Sequence, residues 1–479
     1  MSFNRSLSDR GAVASGHHLT TEAACSVLQQ GGNAFDAAIA GAFAATVAEP
    51  CLTSLGGGGF LLAYDAGRAS STLYDFFVDS PGKGSKGGLE PHFEPVEVCF
   101  ASTVQEFHAG LGSVAVPGML KGLIECYRDL CSMDIEDLVA PALRLLEEGV
   151  GSSPFQLYLS RILMPILSMQ EYGAGIFRGT DEGGRYYNPL YREFLLLRDP
   201  GRWIDIVHGS GALELEGAMR SAGGLLTALD LTEYQVAVRK PLVFEYRGHE
   251  ILTNCPPSFG GELLAAAFGL LEQAELESMG SLELAAEIVL AMKSMTELRR
   301  TAGGTTHISV IDGNGNAASL TSSNGSNSGC YLGDTGVMLN NMMGEDDLHP
   351  GGFHAMTPGL RVGSMMSPTI IRRSGRVEIV LGSGGSKRIR TAMLQVIHNI
   401  IDRGLSVRES VEAPRMHLDD EGTLHMEPGF DDEITRALFE RYPVNQWVSR
   451  DLYFGGVHVV NSALEGWGDA RRGGAFRRV

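Results

Sequence analysis

A pattern typical of a β-hairpin follows two glycines, Gly303 and Gly304. Two runs of strand-forming composition, Thr305 to Ile311 and Asn316 to Ser323, flank the turn sequence Asp312-Gly313-Asn314-Gly315. Asp-Gly and Asn-Gly pairs supply the positive-φ residues that tight hairpin turns require. These residues are therefore predicted to form a β-hairpin.

The register of the hairpin decides which side chains meet at its open end. With Ile311 opposite Asn316, antiparallel pairing would place Thr305 opposite Ser322, and Ser323 would lie beside it. A hydroxyl is thus expected to return to the end of the hairpin at which Thr305 begins.

A threonine directly after two glycines suggests self-cleavage. The Gly304–Thr305 peptide can be bent cheaply, so the threonine hydroxyl can attack the preceding carbonyl and, after hydrolysis, leave Thr305 as a new amino terminus. Its free α-amine, with an unperturbed pKa of roughly 7.7–8.0, can then activate its own hydroxyl as a nucleophile. The alternative from the hairpin alone is an ordinary surface hairpin entered by a flexible Gly-Gly turn.

Further motifs occur in order along nearly the whole chain. They are Gly31-Gly32-Asn33-Ala34-Phe35-Asp36-Ala37-Ala38, Glu49-Pro50, Gly56-Gly57-Gly58-Gly59-Phe60, Val116-Pro117-Gly118, Pro256-Pro257-Ser258-Phe259-Gly260-Gly261, Leu339-Asn340-Asn341, Ser364-Met365-Met366-Ser367-Pro368-Thr369, Gly382-Ser383-Gly384-Gly385-Ser386 and Gly468-Asp469-Ala470-Arg471-Arg472. Together with Thr305-Thr306-His307, this set resembles the γ-glutamyltranspeptidase family of N-terminal nucleophile hydrolases.

The resemblance implies an α+β fold, a four-layer αββα sandwich made as one precursor. Cleavage between Gly304 and Thr305 would give a large-subunit region, 1–304, and a small-subunit region, 305–479, that share one intertwined domain. It also implies that Thr305 is the nucleophile, that Ser323 donates to its oxygen, and that Gly384 and Gly385 form the oxyanion loop. Glycine suits that loop because backbone N–H groups must point at the developing charge without side chains in the way.

Two positions depart from the family pattern around the substrate carboxylate. Typical transpeptidases carry an arginine that holds the donor α-carboxylate, and aligned from Pro81 this arginine falls on Phe77. Ser364 matches one of the family's paired serines, whereas Met365 replaces the other. These departures make a glutathione-like donor uncertain and leave open an acylase for a glutaryl or aromatic acyl chain, with Phe76 and Phe77 lining an apolar pocket.

Further substrate contacts are implied by the same resemblance. The family asparagine that follows the second hydroxyl residue corresponds to Gly325, with Asn324 one residue early. Glu345 aligns with the acidic residue that receives the substrate α-amine, and Asp346 is the competing choice. A solvated acidic cluster is the alternative interpretation of these two carboxylates.

Composition and charge narrow the class of protein. The 479-residue chain is 44% apolar, enough for a large core, and carries a formal charge of −19. This charge argues against nucleic-acid or anionic-membrane partners. Seven cysteines form no CxxC pair, so free buried thiols in a reducing compartment are expected.

Neither the first residues nor the most apolar run has the pattern of a segment that inserts into a membrane. Met1 to Arg5 runs into polar sequence without the apolar core of a secretory signal, which predicts a cytoplasmic protein. The run from Ala34 to Ala48 is too short for a membrane span and is predicted to be a buried helix capped by Asn33. The segment from Lys83 to Gln105 is predicted to be irregular.

Neither the histidines nor a metal site predicts a better mechanism than the threonine nucleophile. Strand alternation puts His307 about 6.6–7 Å from Thr305, too far for a direct proton relay. His349 and His354 flank a loop without a complete zinc pattern, so no metal or other cofactor is expected.

The combined prediction is a γ-glutamyltransferase-like amidohydrolase that acts on a small-molecule amide through an acyl-Thr305 intermediate, with transfer to water or an amine. Besides the acylase, an uncleaved relative that binds ligands without turnover remains an alternative.

Overall fold

The computed structural model describes residues 10–85, 91–99, 104–298, 305–349 and 351–479. Gly304, and with it the peptide bond before Thr305, lies outside these residues. In the described part, no helix has both the length and the apolar character needed to cross a bilayer.

The strands are short and distributed over the whole described chain. They are β1 (Gly11–Ser15), β2 (Gly58–Asp65), β3 (Ser70–Phe76), β4 (Glu94–Cys99), β5 (Val104–Ala109), β6 (Val150–Gly151), β7 (Arg185–Tyr186), β8 (Ala237–Arg239), β9 (Leu242–Tyr246), β10 (His249–Thr253), β11 (Thr306–Asp312), β12 (Ala317–Ser323), β13 (Thr369–Arg373), β14 (Arg376–Gly384), β15 (Met416–Leu418), β16 (Leu424–Met426), β17 (Val444–Gln446), β18 (Gly456–Asn461), β19 (Gly466–Trp467) and β20 (Ala475–Arg478).

The α-helices fall into groups before and between the strands. They are α1 (His18–Gln29), α2 (Ala34–Ala48), α3 (Met119–Leu130), α4 (Ile135–Glu148), α5 (Pro154–Leu167), α6 (Glu171–Ile176), α7 (Pro189–Leu196), α8 (Pro200–His208), α9 (Ala212–Ser221), α10 (Ala228–Glu233), α11 (Gly260–Gln273), α12 (Ser281–Leu298), α13 (Arg388–Ile401), α14 (Val407–Glu412) and α15 (Asp432–Arg441).

Two large sheets form the centre of the fold. The seven-stranded sheet has the order β20-β1-β11-β12-β2-β3-β8, and the six-stranded sheet has the order β19-β18-β14-β13-β10-β9. Strands β11 and β12 pack against β14 of the other sheet, α1 to α3 cover the outer face of the first, and α11 and α13 cover the second. The predicted αββα sandwich is confirmed, and each sheet interleaves strands from both sides of position 305.

The alanine-rich helix fits tightly under the first sheet. Every residue of α2 is buried, and Asn33 and Asp36 form a reciprocal capping box at its start, as the sequence predicts for Asn33. Small side chains let the helix approach the strands closely: a Cβ on Gly41 would lie 3.2 Å from the Ile308 side chain. The helix thereby supports the strand that begins beside Thr305.

The hairpin forms, but the predicted register is wrong by one residue. Ile311 pairs with Ala317 and Thr306 with Ser322, which brings Thr305 beside Ser323. The turn is one residue longer than predicted because Asp312 accepts N–H bonds from Asn314 and Asn316 at 2.9 and 3.0 Å, and Gly315 takes a positive φ of 88°.

The segment from Lys83 to Gln105 is not wholly irregular. Strands β4 and β5 pair antiparallel from Glu94↔Ala109 to Cys99↔Val104. The sequence analysis missed this hairpin because its apolar and polar residues alternate over only a few positions. Residues 86–90 and 100–103 of the segment lie outside the described part of the chain.

Candidate active site

Thr305 lies at the start of a central strand and is almost completely buried. It directly precedes β11, which pairs with β1 on one side and β12 on the other. Its exposed fraction is 3%. Because β-sheet pairing fixes the strands on both sides, the position of Thr305 is determined by the sheet rather than by a loop.

A small pocket opens beside Thr305, and we call it the Thr305 pocket. Its cavity volume is only about 10 Å3, so an acyl group can enter only if the side chains of the lining move apart. Its lining is mostly apolar and consists of Phe77, Thr305, Ser323, Met342, Leu348, Ser364, Met365, Met366, Ser386 and Ile389. The structure therefore brings together five residues that the sequence singled out, namely Thr305, Ser323, Ser364, Met365 and Phe77.

Phe77 forms a fixed wall of this pocket. Its ring is buried and stacks on Phe60 with centroids 5.5 Å apart. Its backbone carbonyl accepts hydrogen bonds from the Tyr234 hydroxyl at 2.6 Å and from the Arg361 guanidinium. Phe76, by contrast, packs against Gly122 of α3 and does not line the pocket.

The guanidinium of Arg361 lies next to Phe77 and forms ion pairs with two carboxylates of the protein. Its Nε lies 2.9 Å from Asp79, and one Nη lies 3.2 Å from Asp75. These charges compensate each other, and Arg361 does not line the pocket. The lining of the pocket contains no cationic side chain among the described residues.

The Gly384–Gly385 loop touches Thr305. A Cβ on Gly384, the last residue of β14, would lie 2.2 Å from the Thr305 carbonyl oxygen, so only glycine allows this approach. Gly385 has a φ of +129°, which disfavours any side chain. The loop continues through Ser386 into α13, whose amino-terminal dipole favours negative charge here. The loop therefore lies beside Thr305, and its oxyanion role stays a prediction.

A larger, charged cleft meets the Thr305 pocket at Ser386. Among the residues that line it are Glu345, Asp346, Lys387, Arg388 and Arg472. Glu345 is buried, and its Oε1 accepts the backbone N–H of Ser326 at 2.9 Å. Both predicted carboxylates therefore border the cleft rather than the Thr305 pocket.

Asn324 occupies a supporting position outside both cavities. It is fully buried, and its Nδ2 donates to Asn327 Oδ1 at 2.6 Å and to the Leu339 carbonyl at 3.2 Å. At the next position a Cβ on Gly325 would lie 2.1 Å from Asn341 Oδ1. The backbone N–H of Gly325 donates to Ser323 Oγ at 3.0 Å, so this loop orients the serine hydroxyl.

A buried carboxyl group lies behind the nucleophile strand. Glu49 accepts the hydroxyls of Thr306 at 2.6 Å and Thr20 at 2.8 Å. Burial raises the pKa of the Glu49 carboxyl to about 7, although both hydroxyl bonds act in the opposite direction. Thr306 alternates with Thr305 along the strand, so Glu49 fixes the strand from the face away from the pocket.

His307 has a structural environment. Its two ring nitrogens exchange hydrogen bonds with Thr321 Oγ1 at 2.8 Å and Ser309 Oγ at 2.9 Å. Burial, reinforced by His458, holds the pKa of His307 well below its usual range, so the ring stays neutral. The described residues also contain no group of three or more His, Cys, Asp or Glu side chains placed to hold a metal ion.

Several lining residues were missed from the sequence. Met342, Leu348 and Ile389 enter the pocket from short turns and from the first turn of α13, and no spacing rule points to them. Ser386 lies at the end of the motif Gly382 to Ser386, but its positive φ of 60° is visible only in the structure.

Comparison with known proteins agrees with this geometry. The family model described as "Gamma-glutamyltranspeptidase" matches residues 20–302 and 285–478. The acylase ACY 1 proenzyme of Pseudomonas sp. (strain V22) is 30% identical over 90% of this chain and 86% of its own length. The glutathione hydrolase proenzyme of Bacillus subtilis (strain 168) is 26% identical over 97% of this chain and 91% of its own length.

A solved structure shares the whole fold. The cephalosporin acylase of Bacillus halodurans superposes with a TM-score of 0.81 at 21% sequence identity, covering 100% of this chain and 98% of that chain. With the family model matching most of its length, the chain belongs to the gamma-glutamyltranspeptidase family and is an enzyme of the N-terminal nucleophile hydrolase type.

Proposed function

We propose that this chain is a self-processing acylase that hydrolyses amides of apolar acyl groups through an acyl-Thr305 intermediate. The observation that carries the proposal is the apolar Thr305 pocket, whose lining contains Phe77 and Met365 and, among the described residues, no cation. A donor α-carboxylate buried there would lack a partner, and an unpaired buried charge costs several kcal/mol. An aliphatic or aromatic acyl chain gains by burial instead, at about 0.8 kcal/mol per CH2.

The mechanism follows from the placement of the groups. After cleavage the α-amine of Thr305 takes the proton of its own hydroxyl, and Oγ attacks the amide carbonyl. Backbone N–H groups of the Gly384–Gly385 loop stabilise the oxyanion. The C–N bond then breaks, the amine leaves with the proton, and water hydrolyses the threonine ester by the same route.

The γ-glutamyl alternative has one observation in its favour. The carboxylates of Glu345 and Asp346 border the cleft next to the pocket and can receive an α-amine. The two candidates differ in the acyl group, so a panel of p-nitroanilides separates them. We expect kcat/KM to be higher for butanoyl, hexanoyl or phenylacetyl amides than for the γ-glutamyl amide; the reverse order would favour a γ-glutamyl hydrolase.

Self-processing is tested with a matched pair of threonine-to-valine variants. Thr305→Val should remain one chain without activity, because the nucleophile is absent. Thr306→Val removes a hydroxyl that faces Glu49 and should still give a fragment beginning at Thr305. Intact mass and amino-terminal sequencing read both results, and an uncut, inactive wild type would favour a non-catalytic binding protein.

A further inference from the structure

Arg472 is a buried cation beside the predicted oxyanion loop. It ends a short 3-10 helix, Ala470–Arg472, and its exposed fraction is 7%. Its stem lies along Gly456 of β18, where a Cβ would come within 2.8–2.9 Å of it. A Cβ on Gly384 would lie 3.5 Å from one Nη of Arg472, and a Cβ on Gly385 would lie 3.3 Å from the other. The guanidinium therefore reaches the loop that touches Thr305.

The Arg472 guanidinium is not bonded directly to a carboxylate within the described part of the chain; Asp469 and Asp451 act on it only through longer-range charge interactions. It forms no hydrogen bond or ion pair there, and its buried Nε has no acceptor. The nearby carboxylate of Asp469 is already shared by Arg415 at 2.6 Å and Arg471 at 3.2 Å. Burial, together with Arg388, lowers the pKa of Arg472 to about 10, so the side chain stays charged near neutral pH.

Arg472 lines the charged cleft and not the Thr305 pocket. If the acyl group occupies the Thr305 pocket, the amine side of the scissile amide extends past Ser386 into this cleft. A buried guanidinium without a direct ion pair at that place is complementary to a carboxylate, which it can bind through two parallel hydrogen bonds.

We propose that Arg472 binds a carboxylate on the amine component of the substrate, so that N-acyl amino acids are the preferred class of amide. This inference rests on the proposed acylase function and adds the identity of the leaving group. The products are a carboxylic acid and a free amino acid; the amide C–N bond breaks, and water supplies the oxygen and the protons.

The test compares two substrates that differ only in charge on the amine side. N-phenylacetyl-alanine and N-phenylacetyl-alaninamide share the acyl group, and release of the amine gives kcat/KM for each. The wild type should prefer the carboxylate by about tenfold or more, as expected for a charge-assisted bidentate contact in a partly buried site. A wild-type ratio near one would overturn the proposal.

Variants assign that preference to Arg472. Arg472→Gln should lower the carboxylate-to-amide ratio to near one, and Arg472→Lys should give an intermediate ratio because it keeps the charge without the planar fork. Arg376→Gln, which removes an exposed arginine at the far end of β14, is the matched control and should keep the wild-type ratio. An equal loss for both substrates in Arg472→Gln would show a structural role and refute the assignment.

The outcome can be separated from failure of the proposed function. If the wild type prefers γ-glutamyl amides, the acyl assignment fails, and the same pair of amines is compared with a γ-glutamyl acyl group. If Arg472→Gln does not fold, the wild-type ratio and Arg472→Lys still decide the question.

Discussion

The substitution Gly384→Ala tests the close approach of the Gly384 backbone to Thr305. The added methyl carbon would lie 2.2 Å from the Thr305 carbonyl oxygen and 3.0 Å from its carbonyl carbon, whereas ordinary contact begins near 3.4 Å. One of the two backbones must therefore move by about 1 Å. Gly384 ends β14 and Thr305 directly precedes β11, so the displacement appears at Thr305 or at the predicted oxyanion loop. A misplacement of about 1 Å costs about 100-fold in rate, and overpacking costs about 1–3 kcal/mol in stability.

The assay measures single-turnover hydrolysis of the best amide substrate by protein of confirmed cleavage state, together with the midpoint of urea unfolding. We expect kcat to fall by about 100-fold while the protein remains folded. Gly269→Ala is the matched control: it lies in α11, its new Cβ would have no neighbour within 4 Å, and its activity should equal that of the wild type. Gly384→Ala activity within about threefold of wild type would contradict the contact and its role.

Three further predictions concern the surroundings of the nucleophile strand. Burial raises the folded-state pKa of Glu49 from 4.5 to about 7, so the folded protein pays for a buried charge above pH 7. As the pH falls from 7 toward 4.5, Glu49 takes up a proton in the folded state, and the free energy of unfolding should rise. Glu49→Gln should reduce this rise, measured as the difference between urea titrations at pH 5 and pH 8. His307→Gln should lower thermal stability but leave the pH profile of kcat/KM unmoved, because the ring is neutral throughout; a shifted profile would give His307 a role in proton transfer. Asp312→Ala removes the acceptor of the Ala34 and Asn316 N–H groups and should cost about 2 kcal/mol or more in unfolding free energy; a smaller change would mean that water replaces the carboxylate.

The sequence correctly predicted structural features that depend on residues close together in the chain. The capped helix from Ala34 to Ala48 has the predicted bounds, because capping and apolar composition act within one turn. The hairpin register was wrong, since the Asp312 side chain takes over the hydrogen bonds of a tighter turn and lengthens it. Residue pattern alone could not decide this competition between a side-chain acceptor and the backbone.

The candidate site was predictable to the extent that each residue falls in a motif. Phe77, Ser364 and Thr305 were named from the sequence, and the structure places all three in one pocket. The sequence marked Arg472 only as a member of the motif Gly468 to Arg472. Its lack of a direct ion pair could not be predicted, because it depends on Asp469 being shared by Arg415 and Arg471. Whether a charge is paired is a property of the whole packed structure and has no counterpart in sequence spacing.

The hydrogen bonds around Phe77 hold its backbone independently of its side chain. Tyr234 and Arg361 hold the Phe77 backbone through its carbonyl oxygen, and these bonds do not involve the side chain. The position of the backbone is thus set by groups that any residue at 77 would engage equally. A change of side chain there alters the polarity and depth of the pocket while the strand and Thr305 stay in place. In this chain, therefore, substitution of Phe77 should change the acyl preference and leave the position of Thr305 unchanged.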